Sequence, residues 1–386
     1  MHKDDIRSVM EYTVSAADRI IDLTRELVSI ETPTLETHTH SAIHEILARE
    51  LQAIDFVSFR KSGKISGGLF YSRPLERRKG QDIQLLLGHC DTVWDLGSLE
   101  GDVPLKTEGD IIKGPGIYDM KSGLAMIVYA LKALHGLKIK PSLLPVVLVT
   151  SDEELGSDDS VQLIRKLAGK SSRVLIPEPS YGESGALKTS RKGVGRYEIR
   201  ITGKAAHSGL EPEKGVSAIV VLADVIKELS SLNDFQKGVS VNVGVIEGGT
   251  RENVVPASSR ALVDVRVRTK SDALRIDQKI RSLEPSLEGA KIEISGGIDR
   301  PPMERTPGNI RLWKITEEIG RKMGLDLKEV ESGGASDGNF TSELAPTIDG
   351  LGAVGGGAHA LHEFIRSYSL PERTALLALL IAESGD

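Results

Sequence analysis

Apolar positions recur with two periods along the first half of the chain. Ile20, Leu23 and Leu27 share one face of a helix predicted over about 15–28, and residues 41–54 repeat that spacing. The stretches 83–87 and 142–150 are nearly unbroken apolar runs, as expected of strands covered on both faces. A strongly helical stretch runs from Asp119 to about His135, a helix is predicted over 158–168, and a strand over 173–176. Strands alternating with helices predict an α/β fold with a mostly parallel sheet flanked by helices.

The period changes near Gly193. Tyr197, Ile199 and Ile201 alternate with Arg196, Glu198 and Arg200, which marks a sheet with one wet face. A helix over 216–229 follows, then alternating runs over 239–245 and 261–267, a helix over 272–283 and a short strand over 291–294. Strand, helix, strand, strand, helix, strand is the order of a ferredoxin-like α+β module. It is predicted over 190–299, inserted into a larger domain made of 1–189 and 300–386. Its two ends must then lie close together. Beyond Pro301 and Pro302 the α/β pattern resumes, with helices over 307–323 and 371–382 and a short strand over 327–330. The glycine-rich stretches 332–339 and 350–357 read as compact loops.

Composition narrows the function classes. The 386 residues carry a formal net charge of -6, which argues against a nucleic-acid partner. No apolar run is long enough to span a bilayer, and the first 28 residues have no signal-peptide core, so no membrane association is expected. A single cysteine, Cys90, excludes an internal disulfide framework and suits a cytoplasmic location. Cys90 itself reads as a buried neighbour of the site.

The chemistry lies where strands end. His89 and Asp91 close the run 83–87, and the carboxylate two residues on can hold the imidazole in one tautomer. Asp119 stands in a turn before a helix, Glu153 and Glu154 follow the strand ending at Thr150, Glu178 follows the strand ending at Ile176, and His359 follows a glycine run. Singly, these are an N-cap, an acidic loop, a turn residue and a surface histidine. Together they place histidines and carboxylates at one edge of a parallel sheet, where open α/β sheets build their sites. Such donors suit zinc or another first-row divalent ion, and their number fits two metals sharing a carboxylate.

Seven strings carry a resemblance: 88–93 (GHCDTV), 114–123 (GPGIYDMKSG), 151–154 (SDEE), 177–179 (PEP), 203–209 (GKAAHSG), 248–256 (GGTRENVVP) and His359 with Glu363. In this order they resemble the zinc exopeptidase and deacylase family of glutamate carboxypeptidase, acetylornithine deacetylase, succinyl-diaminopimelate desuccinylase and aminoacylase. The stretch 332–337 (SGGASD) makes the resemblance strongest to the bacterial glutamate carboxypeptidase branch. It implies a dizinc catalytic domain, with cobalt or manganese as substitutes, and an inserted lid that forms a homodimer through 190–299. It implies that His89 and Glu178 hold one zinc, Glu154 and His359 the other, and that Asp119 bridges them. Asp91 would orient His89 and Glu153 would be the general base. His362 rivals His359, which is preferred for its spacing to Glu363. A cis peptide bond between Asp119 and Met120 is a further family feature. His207 would reach the partner subunit's site and stabilise the oxyanion.

Asn253, Arg266 and Arg300 are candidates to hold a substrate carboxylate, since an arginine fork matches a carboxylate bidentately. Arg266 reads as facing the wet side of its strand, and the backbone at Gly334 could donate to the same group. The expected activity is hydrolysis of a C-terminal, acidic residue from a peptide or N-acyl amino acid. The alternative within the class is an N-acyl-amino-acid deacylase. From another class, the alternative is an interaction protein that keeps the fold without the metals.

Overall fold

The computed structural model describes residues 3–78 and 80–384. The chain forms two compact units: Met1–Ser190 with Arg305–Ser332 and Ser336–Asp386, and Arg191–Glu304 with Gly333–Ala335. The smaller unit therefore ends at Glu304 rather than 299, so Arg300 belongs to it and not to the larger one.

The larger unit is built on a six-stranded sheet in the order Phe56–Lys61, Leu69–Pro74, Leu144–Thr150, Ile83–His89, Ser171–Leu175, Thr347–Ile348. The first two pairings are antiparallel and the remaining three parallel. Alternation along Ile83–His89 feeds two cores. Leu86 packs with Leu124, Val147 and Val149 on one face, while Leu85 and Leu87 pack with Val146, Leu148 and Ile164 on the other. Full burial of each such leucine contributes about 1.5–3 kcal/mol. The helix Ser122–Gly136 is buried along nearly its whole length, beneath helices Ala17–Val28 and Ser369–Ala382. That is why its sequence is apolar on every side.

Several elements depart from the sequence reading. A helix Lys3–Ser15 precedes the first predicted one. The helix expected from Asp119 starts at Ser122, because Asp119 (φ -117°, ψ 96°) and Met120 (φ -130°, ψ 37°) are not helical. The peptide bond between those two residues is cis. The strand near 327–330 lies at Glu329–Ser332 and pairs with Leu187–Arg191 outside the main sheet. A small sheet joins Lys106–Glu108, Ile111–Lys113, Phe364–Arg366 and Gly355–Gly356. Its antiparallel register of Phe364 with Lys113 brings the loop before 364 beside the turn after 113.

The smaller unit is an antiparallel four-stranded sheet in the order Ser240–Gly248, Ser258–Val267, Gly193–Thr202, Lys291–Arg300. Helices Ala218–Ser231 and Lys270–Arg281 cover one face, over Ile199, Ile201, Val241, Val263 and Val265. Each helix opens on a side-chain cap, Ser217 accepting from the Val220 N–H and Thr269 from the Asp272 N–H. The outer face carries ion pairs such as Arg260 with Glu247 and Glu198.

Candidate metal centre

Four of the candidate residues stand at one sheet edge because three parallel strands end there. His89 closes the central strand, Glu153 and Glu154 open the turn after Thr150, and Glu178 follows the strand Ser171–Leu175. Asp119 and His359 arrive differently, on the turn and the loop that the small sheet sets side by side.

Asp119 is the centre of the cluster. Its Oδ1 lies 3.2 Å from His89 Nε2, and its Oδ2 lies 3.6 Å from His359 Nε2. Glu178 Oε1 is 3.4 Å from His89 Nε2, and Glu154 Oε2 is 3.2 Å from His359 Nε2. The two oxygens of one carboxylate thus face two separate histidine–glutamate pairs. Donor atoms of His89, Asp119 and Glu154 lie within 4.8 Å of one another. His359 has a left-handed backbone (φ 62°), while His362 is exposed on the same loop.

These residues fit divalent metal ions. His89 Nδ1 lies 3.0 Å from the Asp91 carbonyl, which places the ring proton there and turns the Nε2 lone pair toward ionised carboxylates. Acceptor facing acceptor is relieved by a cation between them. A tetrahedral ion with ligands at about 2.0–2.2 Å sets its donor atoms about 3.3–3.6 Å apart, and the four separations are 3.2–3.6 Å. Glu154 Oε1 is buried without a hydrogen-bond partner.

The charges of the cluster point the same way. Burial would lower the pKa of His89, but Asp119, Asp91 and Glu178 raise it well above the ordinary imidazole range. Hydrogen bonds to Asp119 and Glu154 raise His359 to about 11. Burial pushes Glu154 up to about 7, whereas His359 and His89 overcome burial and hold Asp119 well below the carboxylate range. A site that stabilises protons on its histidines so strongly is one that attracts positive charge.

Asp91 does more than the sequence suggested. Its Oδ1 approaches His89 Nδ1 at 3.4 Å, and its carboxylate accepts the N–H groups of Glu153 (3.3 Å) and Glu154 (3.1 Å) and the Thr34 hydroxyl (2.9 Å). It therefore fastens the Glu153–Glu154 turn to the histidine strand. Cys90 is buried, 3.7 Å from His44 Nε2, and burial raises its thiol pKa far above the ordinary value. It is neither exposed nor poised to react. Glu363 is a functional candidate that sequence reasoning used only as a spacing marker. It is fully buried and gathers four hydrogen bonds around the Asp119 turn.

The remaining candidates belong to the smaller unit. His207 and Asn253 are neighbours there, since His207 bridges Val254 and the Ser208 N–H donates to the Asn253 carbonyl at 3.1 Å. Both are exposed. Arg266 lies on the outer face of its strand, as its alternation predicts, half-buried with its fork on Asp264 at 2.8 and 3.0 Å. Arg300 is buried at the end of its strand. Gly334 is exposed, and its carbonyl accepts from Arg191 Nη1 at 3.2 Å.

Residues 85–383 match the model of Peptidase family M20/M25/M40. The chain is 30% identical over 378 residues to carboxypeptidase G2 of Pseudomonas sp. (strain RS-16), covering 95% of this chain and 89% of that one. It is 28% identical over 369 residues to succinyl-diaminopimelate desuccinylase of Delftia acidovorans, covering 90% and 93%. In fold it resembles aminopeptidase PepT from Bacillus cereus (TM-score 0.79, 20% identity, covering 95% and 98%). It also resembles an M20 family metallo-carboxypeptidase from Sulfolobus solfataricus (TM-score 0.72, 16% identity, covering 94% and 99%).

Proposed function

Because this chain belongs to Peptidase family M20/M25/M40 and is a hydrolase of that family, we propose that it is a dizinc amidohydrolase that removes a C-terminal, acidic amino acid from a peptide or N-acyl amino acid. The observation that carries the two-metal reading is the division of Asp119, one oxygen toward His89 and Glu178, the other toward His359 and Glu154. His89 and Glu178 would hold one ion, Glu154 and His359 the other, with Asp119 between. Bound zinc supplies polarisation of the scissile carbonyl and acidifies the attacking water.

The protein's own groups do the rest. Glu153 begins the turn that Asp91 fastens, adjacent to a ligand and half-buried. It takes a proton from the attacking water and returns it to the leaving nitrogen, a contribution of roughly 10²–10⁴-fold. His207 is the proposed donor to the oxyanion. Asn253, Arg266, Arg300 and the backbone at Gly334 are the proposed carboxylate contacts, with Asp264 releasing the Arg266 fork.

A homodimer is part of the reading. Ser240–Gly248 is an edge strand. It exposes Val245 and Ile246, and Ile219 and Val220 are exposed at the start of the preceding helix, Ala218–Ser231. Unpaired edges and exposed apolar side chains are surfaces that seek a partner.

The deciding experiment compares Glu153→Gln with the parent on acyl-glutamates, dipeptides and N-succinyl diamino acids, with zinc content measured in both. Glu153→Gln should keep its zinc and lose roughly 10²–10⁴-fold in kcat. Near-normal turnover would remove Glu153 from the chemistry. Preference for the succinylated substrate would favour the deacylase reading, which the similarity to the desuccinylase supports. Absence of both zinc and turnover in the parent would favour an interaction protein.

A further inference from the structure

Glu363 is fully buried, yet the proposed chemistry gives it nothing to do. Each of its oxygens accepts two hydrogen bonds. Oε1 takes the N–H groups of Tyr118 at 2.9 Å and Asp119 at 3.1 Å. Oε2 takes the N–H of Gly116 at 3.0 Å and the indole N–H of Trp94 at 2.7 Å. Three of these donors line one turn, so the turn is a nest of backbone N–H groups closed around a carboxylate from elsewhere in the chain. Gly116 has φ 68°, and a Cβ there would lie 2.4 Å from Thr92 Cγ2, so the turn is drawn tightly against the segment after His89.

The same side chain ends the loop that carries His359. That loop is closed by the Ala360 N–H donating to the Gly357 carbonyl at 2.9 Å and the Glu363 N–H to the Ala360 carbonyl at 2.8 Å. One carboxylate therefore ties the turn bearing Asp119 to the loop bearing His359. The other donors have independent anchors. His89 ends a strand paired on both sides, and the Glu154 N–H is held by Asp91. His359 is on a loop and its side chain is 51% exposed.

We propose that Glu363 is a positioning residue that sets the second metal position, the one facing Asp119 Oδ2, Glu154 and His359, by holding the Asp119 turn and the His359 loop at a fixed separation. This rests on the two-metal reading above. A carboxylate is needed because all four partners are donors. An amide in its place would turn its own N–H₂ toward two of them.

The test is titration of the metal-stripped full-length protein with Co²⁺ alone, followed by calorimetry and by visible absorption, for the parent and for Glu363→Gln. The variant should take up the first equivalent much as the parent does. Its second equivalent should bind about 10–100-fold more weakly, with altered visible bands, and kcat should recover as free Co²⁺ is raised. A purely structural role would lower Tm but leave both binding steps and the spectrum unchanged in the folded variant, and that result overturns the proposal. If Glu363→Gln does not fold, Trp94→Phe decides, because it removes one donor while keeping an aromatic side chain. A smaller loss confined to the second equivalent supports the proposal, and two unchanged steps overturn it. Should the parent itself bind only one Co²⁺, the two-metal reading falls, which is a different result from two intact steps in the variant.

Discussion

The residues that carry chemistry are legible as a set rather than singly, because a lone histidine or carboxylate reads as a cap or a loop residue. His89, Asp119, Glu154, Glu178 and His359 were named from the sequence, and the structure brings them together around Asp119. What could not be read was who holds them. Asp91 and Glu363 bond to backbone N–H groups, and the direction of a backbone N–H is a property of the folded turn, not of any residue type. Arg266 does lie on the face opposite the buried Val265 and Val267, but its ion pair with Asp264, two residues earlier on the same face, is not something alternation alone can display. The residue scale also yields a prediction about acid. His44 is buried against Phe70, with ring centroids 5.8 Å apart, and burial first, then Arg60, lowers its pKa from 6.5 to about 4. The folded state thus favours the neutral ring. Its stabilisation is complete above pH 6.5 and disappears as pH falls through 4, a loss of about 3 kcal/mol. Urea unfolding at pH 7 and at pH 4 should show a smaller acid loss in His44→Leu than in the parent. Equal losses would assign the acid sensitivity to other groups.

At the scale of elements, the buried strands are legible in the sequence, whereas the helix Lys3–Ser15 and several edge or very short strands are not. The buried strands Ile83–His89 and Leu144–Thr150 announce themselves by apolar runs. The edge pair Phe56–Lys61 and Leu69–Pro74 mixes Ser58, Arg60, Ser72 and Arg73 among its apolar positions, because an edge is only half covered. The small sheet that positions His359 has strands of two or three residues, below any period that a sequence can display. Close packing between elements is equally silent in the sequence. A Cβ on Gly123 would lie 2.0 Å from the Pro177 carbonyl oxygen, so the central helix rests directly on the segment that presents Glu178. Gly123→Ala should cost about 1–3 kcal/mol and weaken metal binding by moving Glu178 away from His89. Denaturant unfolding with a parallel zinc titration checks both. Unchanged stability would mean that the backbone yields without cost.

For the whole molecule, the change of period near Gly193 is the sign in the sequence of a second unit, and the structure divides at Ser190/Arg191 and at Glu304/Arg305. The contribution of Gly333–Ala335 to the smaller unit was out of reach, since it comes from a loop far along the chain. The proposed homodimer makes a prediction at this scale. Ile246→Lys places a charge on the exposed edge, where Ile246 is 60% exposed, and should shift the protein to monomers in sedimentation at micromolar concentration. A parent already monomeric there would remove the dimer from the reading.

The two ends of the 191–304 segment are each fastened to their counterpart. Arg191 and Met303 exchange backbone hydrogen bonds at 3.0 Å each, and Glu329 accepts from both the Thr189 hydroxyl (2.6 Å) and the Arg305 fork (2.6 and 2.9 Å). The chain leaves the larger unit and returns to it at nearly the same point, so the intervening codons form a cassette. Replacing codons 191–304 with a short glycine linker should give a truncated polypeptide that melts cooperatively and retains zinc. In the reverse direction, an unrelated domain whose termini adjoin should be accepted as cargo at this locus without loss of the host unit's cooperative melting.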